Sequence, residues 1–438
     1  MTEGSHSEEK NSMSLRKKIK NWINKARSTP LPAGKTIGIF AVVLTVSIAA
    51  SVLVTFSATV NNRYQKESEA VYRLRLLSEL IESEAYFPYD AEALMNGALN
   101  GYVGAMDDGY AVYYDREQFD RLYEEMNGVY VGIGVTIQIS EIELEGKKRT
   151  AVEIVNVTKG AAAESAGLLV GDYILAVVSA SGDISTDGLS SDQIVNLIRG
   201  KEGTSVTLSV LRRGENEEII QNYTMKRVSV VAPSVSYRLS ELAESVGVVE
   251  ISGFDLQTPS QLVDAMDALV GQGVRKFVID LRSNPGGDLG SVVACASYFL
   301  QVDDVILSKE YKNGDSVEYR AVKRSGNCPV SEEDIGKYRD YEYVILTNGM
   351  TASAAEILTA VFRDYSLGTL VGEKTFGKGI VQTVYPLNDF GGVKFTTSVY
   401  YPPCGVCYHD IGITPDIEVK NTDTEDRQMQ AAINELNK

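Results

Sequence analysis

A chain of 438 residues is long enough for two or three domains, and its formal net charge of −17 argues against nucleic acid as a partner. Four cysteines are too few for a disulfide scaffold. Of the two histidines, His6 lies in a polar N-terminal tail, so any histidine-dependent chemistry falls to His409.

Residues 1–35 form a basic tail, expected to be cytoplasmic: Lys10, Arg16, Lys17, Lys18, Lys20, Lys25, Arg27 and Lys35 outweigh Glu3, Glu8 and Glu9. Thr36 to Asn62 carries no charge, and Ile37 to Val60 is apolar and long enough to span a bilayer. With the basic excess ahead of it, 36–60 reads as a transmembrane signal anchor. That places the N-terminus in the cytoplasm and everything after it outside, on a single-pass membrane protein. A cleaved signal peptide fits less well, because the leader is long and no clear small-residue cleavage site follows.

Residues 64–127 form a helical region. Val71, Leu74, Leu77, Leu80 and Ile81 recur near helical spacing, a second helix runs from about Ala91 to Met106, Asp107-Asp108-Gly109 breaks it, and Glu117 to Met126 is a third. A homodimer through 65–126, or through the tail at 424–436, has no sharp signal in its favour.

A β-rich unit is expected over 128–228. It opens with Gly128-Val-Tyr-Val-Gly-Ile-Gly-Val-Thr-Ile137, where glycines between apolar residues make a turn whose N–H groups can converge. Lys159-Gly-Ala-Ala-Ala-Glu-Ser-Ala-Gly-Leu168 and Gly171-Asp172 follow, then a helix over Asp192–Arg199 and an alternating strand at Gly203–Val210. As a set these features resemble a PDZ domain of the kind found with bacterial proteases. The resemblance implies binding of an extended peptide by strand addition. The peptide's terminal carboxylate would sit at Val131, Gly132, Ile133, Gly134 and Val135.

Residues 229–420 read as α/β: a strand at Gly247–Ser252, an amphipathic helix at Thr258–Gly271, and a buried strand at Lys276–Leu281 ending in Arg282-Ser-Asn-Pro-Gly-Gly287. Strands and helices then alternate through 344–384, which argues for a mostly parallel sheet. A helical tail, 421–438, closes the chain.

Within the α/β part, a buried strand (Val344, Ile345, Leu346) leads through a turn to a helix with Ser353 at its start, where unpaired N–H groups suit an oxyanion. Ser353 and Glu356 also fit a capping box. Gly377-Lys-Gly379 leads into a strand, and Lys378 and Gln382, four apart, would share one face of it. Serine, lysine and an orienting amide are the parts of a Ser-Lys nucleophile system. Lys374 is a nearby substitute for Lys378. Cys404-Gly-Val-Cys407 has no second pair at zinc-finger spacing, so it reads as a local disulfide or two free thiols.

Taken in order, several stretches resemble the C-terminal processing peptidases, serine peptidases also called tail-specific proteases. They are Ala105-Met-Asp-Asp-Gly-Tyr110, the Gly-Ile-Gly loop, Asp280-Leu-Arg-Ser-Asn-Pro-Gly-Gly287, Thr351-Ala-Ser-Ala-Ala-Glu356, Gly377-Lys-Gly379, Gln382 and Gly412-Ile-Thr-Pro-Asp416. The resemblance spans about Leu94 to Ile417. It implies an α/β core of Clp-protease/crotonase-like spiral βαβ units with an inserted PDZ domain. Ser353 would be the nucleophile, Lys378 the general base and Gln382 its orienting partner, with the N–H groups of Gly287 and Ala354 as oxyanion hole. The substrates implied are unstructured C-terminal tails of proteins, and no metal or cofactor is implied. Rival readings are a hydrolase using His409, disfavoured because no G-x-S-x-G elbow surrounds Ser353, and a catalytically inactive PDZ adaptor at the membrane. A third, an acyl-CoA enzyme of the crotonase type, is disfavoured by the anchor and the PDZ unit.

Overall fold

Three long apolar strands set the architecture. In the computed structural model, Val246–Ile251, Lys276–Asp280 and Glu342–Thr347 are buried almost end to end, the pattern of parallel strands covered on both faces. The model describes residues 69–438 except 145, 180, 181, 215 and 216, together with a few isolated positions before 69. The three strands lie parallel in sequence order, joined by Gly368–Gly372 and Ile417–Glu418. Val235–Leu239 is added antiparallel at the edge.

The alternation of side chains splits the sheet's two faces. Val249, Ile251, Phe277, Ile279 and Ile345 face the helices Thr258–Gly271, Leu289–Ser297 and Ala354–Asp364, in a core that also packs Phe299 at a tilt against Phe362, 4.9 Å between ring centroids. Val246, Val248, Val278, Val344 and Leu346 face the C-terminal helix Arg427–Leu436, which buries Met429, Ala432, Ile433 and Leu436 against them. Burying Met429, Ile433 and Leu436 contributes about 1.5–3 kcal/mol each. The apolar face of the tail is therefore spent on its own sheet, and a homodimer through 424–436 has no free apolar surface there.

A second sheet has Gly392–Tyr401 as its spine. Ile380–Pro386 pairs along one edge, Val305–Tyr311 pairs with its C-terminal half, and Val112–Tyr114, from the N-terminal region, pairs with its start. Between the two helices expected near 91–106 and 117–126, Val112–Tyr114 forms a strand that the sequence reading did not include. It follows the helix Ala91–Gly104 and precedes the helix Arg116–Asn127, whose N-terminus is held by a reciprocal Asp115–Gln118 capping box.

The β-rich unit is an antiparallel sheet in the order Val135–Leu144, Lys147–Val157, Tyr173–Val178, Ser205–Arg213, Glu218–Lys226, packed on Ile133, Ile154, Ile174, Ile194 and Leu208. Its entry strand Val129–Gly132 pairs antiparallel with its exit strand Val228–Val231, closing the insertion at its base.

By itself, the N-terminal unit (Met1–Ala91) has a helix over 69–84 on which Val71, Leu74, Leu77 and Leu80 are exposed. Among the described residues no helix is long and apolar enough to cross a membrane. The apolar stretch 37–60 lies outside them.

Candidate active site

Three turns at the C-terminal ends of the parallel strands converge on one cavity of about 590 Å³. The first leaves Glu342–Thr347 and ends at Ser353. Its backbone stands at φ 55°, ψ −118°, a conformation that costs a non-glycine residue about 1–3 kcal/mol. Neighbours hold it there: Thr351 Oγ1 donates to the Leu281 carbonyl at 2.8 Å, Ala352 N–H to the Asn284 carbonyl at 2.9 Å, and Ser353 N–H to Glu356 Oε2 at 2.9 Å. The helix starts at Ala354, which lines the cavity, and its first N–H has no intrahelical acceptor.

The second turn is Asn284-Pro-Gly-Gly287. Asn284 is fully buried; its Nδ2 donates to the Ile251 carbonyl at 2.7 Å, and its Oδ1 accepts from Gly286 N–H at 2.8 Å. Among the described residues neither the Gly287 N–H nor the Ala354 N–H has an acceptor. Gly286 stands at φ 100°, and a Cβ there would lie 2.8 Å from both Ser353 Cβ and Ala354 N. A Gly286→Ala variant should therefore push the two turns apart. We expect kcat to fall about 10²–10³-fold, the size of one lost oxyanion donor, with KM for a tail peptide little changed. Steady-state kinetics on the folded variant would check it, and turnover within threefold of the unaltered chain would refute it.

The third turn carries Lys378, half-buried beside the cavity. Burial lowers its pKa below the usual lysine value, and the Lys394 ammonium lowers it further, against the opposing charges of Asp108 and Glu356. Its Nζ lies 4.4 Å from the centre of the Tyr110 ring. The Tyr400 hydroxyl lies 2.6 Å from the Lys378 carbonyl and 3.2 Å from the Ser353 carbonyl, spanning the two turns.

Gln382 lines the same cavity, though not for the reason the spacing suggests. The strand begins only at Ile380, and its register against Gly392–Tyr401 shifts between Val381 and Gln382. The even-offset argument therefore does not apply, because a bulge resets which face each residue takes. Lys374 is exposed and does not line the cavity, and neither does His409. The His409 Nδ1 instead lies 3.3 Å from the Gly377 carbonyl and 3.4 Å from the Gly379 N–H, against the backbone of the lysine turn. Cys404 and Cys407 carry free thiols.

The capping pattern gives Glu356 a local role only. In the fold it is fully buried and ties two turns together: Oε1 accepts from Thr375 Oγ1 (2.6 Å) and Gly377 N–H (2.7 Å), and Oε2 from Ser353 N–H and Lys378 N–H (2.8 Å). An acid three residues after a candidate nucleophile, on the apolar side of a buried helix, is the one signal the sequence carries for this.

In the β-rich unit, Val131 and Gly132 end the entry strand, Ile133 is buried, and Val135 begins the edge strand. Gly134 stands at φ 80°, where a Cβ would fall 2.2 Å from that of Ala161. Among the described residues the outer edge of Val135–Leu144 pairs with no strand, and the helix Ser191–Ile198 packs beside it. An open edge flanked by a helix is what strand addition requires.

The chain matches the family model of peptidase family S41 over residues 245–419 and that of the PDZ domain over 126–211. It is 30% identical over 394 residues to the carboxy-terminal processing protease CtpA of Bacillus subtilis, covering 89% of this chain and 78% of that protein. It is also 30% identical over 378 residues to a probable CtpA-like serine protease of Staphylococcus haemolyticus, covering 86% and 70%. Among solved structures it is similar to a photosystem II D1 C-terminal processing protease, at 25% identity and TM-score 0.42 over 79% of this chain and 86% of that one. The serine-bearing turn, its neighbouring N–H groups and the sequence likenesses agree: the chain belongs to peptidase family S41 and is a serine-type carboxy-terminal processing peptidase with a PDZ domain.

Proposed function

We propose that Ser353 and Lys378 form the catalytic pair of an endopeptidase that trims protein C-terminal tails at the outer surface of a membrane. Neutral Lys378 takes the Ser353 Oγ proton as the oxygen attacks the scissile carbonyl. The oxyanion is held by the N–H groups of Gly287 and Ala354, and the Lys378 ammonium returns the proton to the leaving amine. Water then releases the acyl group by the same steps. Gln382 orients the lysine. The observation that carries this reading is the shared cavity: Ser353, Lys378 and two N–H groups without acceptors open into it, with an apolar wall of Phe254, Leu289 and Ile357.

The tail's carboxylate would sit at Val131–Val135 and its strand along Val135–Leu144. The uncharged 37–60 segment would anchor the chain in the cell membrane with both domains outside. The exposed leucines of 69–84 would carry a homodimer. The sequence-ordered parallel strands support the crotonase-like spiral.

The test uses the full-length chain and an unstructured polypeptide with a free apolar C-terminus, beside its C-terminally amidated form. We expect cleavage of the free form, silence from Ser353→Ala, and activity within a few-fold of the unaltered chain for His409→Ala. Deleting 128–228 should abolish the preference for the free C-terminus. Cleavage by Ser353→Ala, or loss with His409→Ala while Lys378→Ala stays active, would overturn the assignment.

A further inference from the structure

The Asp107-Asp108-Gly109 turn lies against the strand opposite Gln382 and carries the Tyr110 ring to within 4.4 Å of Lys378 Nζ, from a part of the chain that the catalytic pair does not use. The strand after it, Val112–Tyr114, pairs with Gly392–Lys394, which brings Asp108 against Thr396 further along the same strand. Thr396 N–H donates to Asp108 Oδ2 at 2.7 Å, and Tyr110 N–H donates to Oδ1 at 3.0 Å. Thr396 Oγ1 donates to Oδ1 at 3.1 Å and accepts from Gln382 Nε2 at 3.2 Å. Gln382 and Thr396 are directly opposed in the strand ladder.

Proton counting decides the direction of these hydrogen bonds. A threonine hydroxyl has one hydrogen, and a carboxylate can only accept. With that hydrogen committed to Asp108, Thr396 Oγ1 can only accept from Gln382, so the carboxamide must present Nε2 to Thr396. Its other end, Oε1, is left to accept from a donor in the cavity, where the Lys378 ammonium is the donor the chemistry requires. Reversing the amide would set Oε1 against a hydroxyl oxygen with no hydrogen left to give.

We propose that Asp108 is a positioning residue for the peptidase reaction: through Thr396 it fixes which way round the Gln382 carboxamide stands, and through the turn it forms it holds the Tyr110 ring over which Lys378 Nζ rests. The inference rests on the Ser353–Lys378 reading. It makes the N-terminal region part of the active site rather than an appendage. Burial opposes the Asp108 charge, but the bonds from Thr396 and Tyr110 outweigh it and hold its carboxyl below the usual range. The groups facing Lys378 are Lys394 from the Gly392–Tyr401 strand, Glu356 from the helix, Asp108 from the turn, and the Tyr110 and Tyr400 rings.

The experiment measures kcat, KM and the pH profile of the full-length chain on a free-tailed polypeptide for Asp108→Asn, Thr396→Val, Thr396→Ser and Lys378→Ala. An asparagine with Nδ2 in the Oδ1 place would donate to Thr396 Oγ1, freeing the hydroxyl hydrogen to turn toward Gln382 and reverse the amide, at the cost of leaving Tyr110 N–H without its acceptor; turned the other way it would strand Thr396 N–H instead. We expect Asp108→Asn and Thr396→Val to lose about 10–100-fold in kcat with KM within twofold, as for outer-shell partners of reacting groups. Thr396→Ser, which keeps the hydroxyl, should stay within threefold of the unaltered chain. In Asp108→Asn the acidic limb of kcat/KM should also move to lower pH, because a charge that favours the Lys378 ammonium has gone; a merely structural lesion lowers the plateau and leaves the limb in place. An inactive Lys378→Ala alongside full activity in both Asp108→Asn and Thr396→Val would overturn this inference alone, as would loss of activity with an unmoved limb. An active Lys378→Ala would overturn the reading beneath it.

Discussion

Lys378→Met is expected to lose about 10⁴-fold or more in kcat/KM, the scale on which a nucleophile's base is missed when the rest of the site survives, and to raise the thermal midpoint of the chain near neutral pH. Both effects come from one fact, that the ammonium is half-buried and beside Lys394, so its pKa lies below the usual value. In the proposed mechanism the lowered pKa increases the neutral fraction that would accept the Ser353 proton, and activity should rise with pH through it. For stability the sign is opposite. Between the lowered pKa and about 10.4 the unfolded chain binds more protons than the folded one, so stability rises with pH across that window. Below it the full penalty of burying the charge is present. Methionine has similar length and no charge, so it removes the penalty along with the base. A companion, Lys394→Gln, removes the like charge and should move the acidic limb of kcat/KM to higher pH. The measurements are turnover and thermal unfolding on the same preparations; a Lys378→Met variant that keeps a tenth of the activity would remove lysine from the chemistry.

Much of this site is legible in the order of the amino acids. The strand Val344–Leu346, the turn and the helix that starts beside Ser353 are local features, and continuous apolar runs followed by helix caps report them directly. The helix Thr258–Gly271 is legible for the same reason. What escapes is non-local. The sheet built on Gly392–Tyr401 gathers strands from near 112, 305 and 380, and no short-range pattern announces which partially buried segments will meet. Asp108 and Thr396 are 288 residues apart, so their hydrogen bond has no signature in either neighbourhood. The spacing from Lys378 points to Gln382 as a cavity residue on a wrong geometric argument, because a bulge cannot be seen in a pattern of apolar and polar residues. Glu356 is visible only as a cap, since the capping pattern is silent about what else the carboxylate receives from a turn about twenty residues away.

Glu356→Gln is the substitution with the largest expected effect outside the reacting residues, although it changes one oxygen to a nitrogen of nearly equal size. Each carboxylate oxygen accepts two bonds, Oε1 from Thr375 Oγ1 and Gly377 N–H, Oε2 from Ser353 N–H and Lys378 N–H. Whichever way the amide turns, its NH₂ faces at least one backbone N–H that it cannot satisfy. Placed at Oε2, it leaves the N–H groups of both Ser353 and Lys378 unpaired. Placed at Oε1, it strands Gly377 N–H and obliges Thr375, which already accepts from Ile413 N–H at 2.7 Å, to rotate its hydroxyl. A buried donor without an acceptor costs about 1–3 kcal/mol, so the substitution costs about 2–6 kcal/mol with the amide at Oε2, and about 1–3 kcal/mol plus the Thr375 rearrangement with it at Oε1, a sizeable share of a domain's usual 5–15 kcal/mol. The fold would relieve that strain by letting the lysine turn part from the serine turn, which is also the motion that would separate the proposed base from the proposed nucleophile. We therefore expect a thermal midpoint lowered by several degrees and kcat lowered about 10²-fold or more at temperatures where the variant is still folded. Glu356→Asp, which keeps the charge but shortens the reach, should fall in activity without matching the loss of stability, since a carboxylate can still accept from some of the four donors. Equal and small effects of both substitutions on unfolding and turnover would mean that the two turns are held together by Tyr400 and the strands alone.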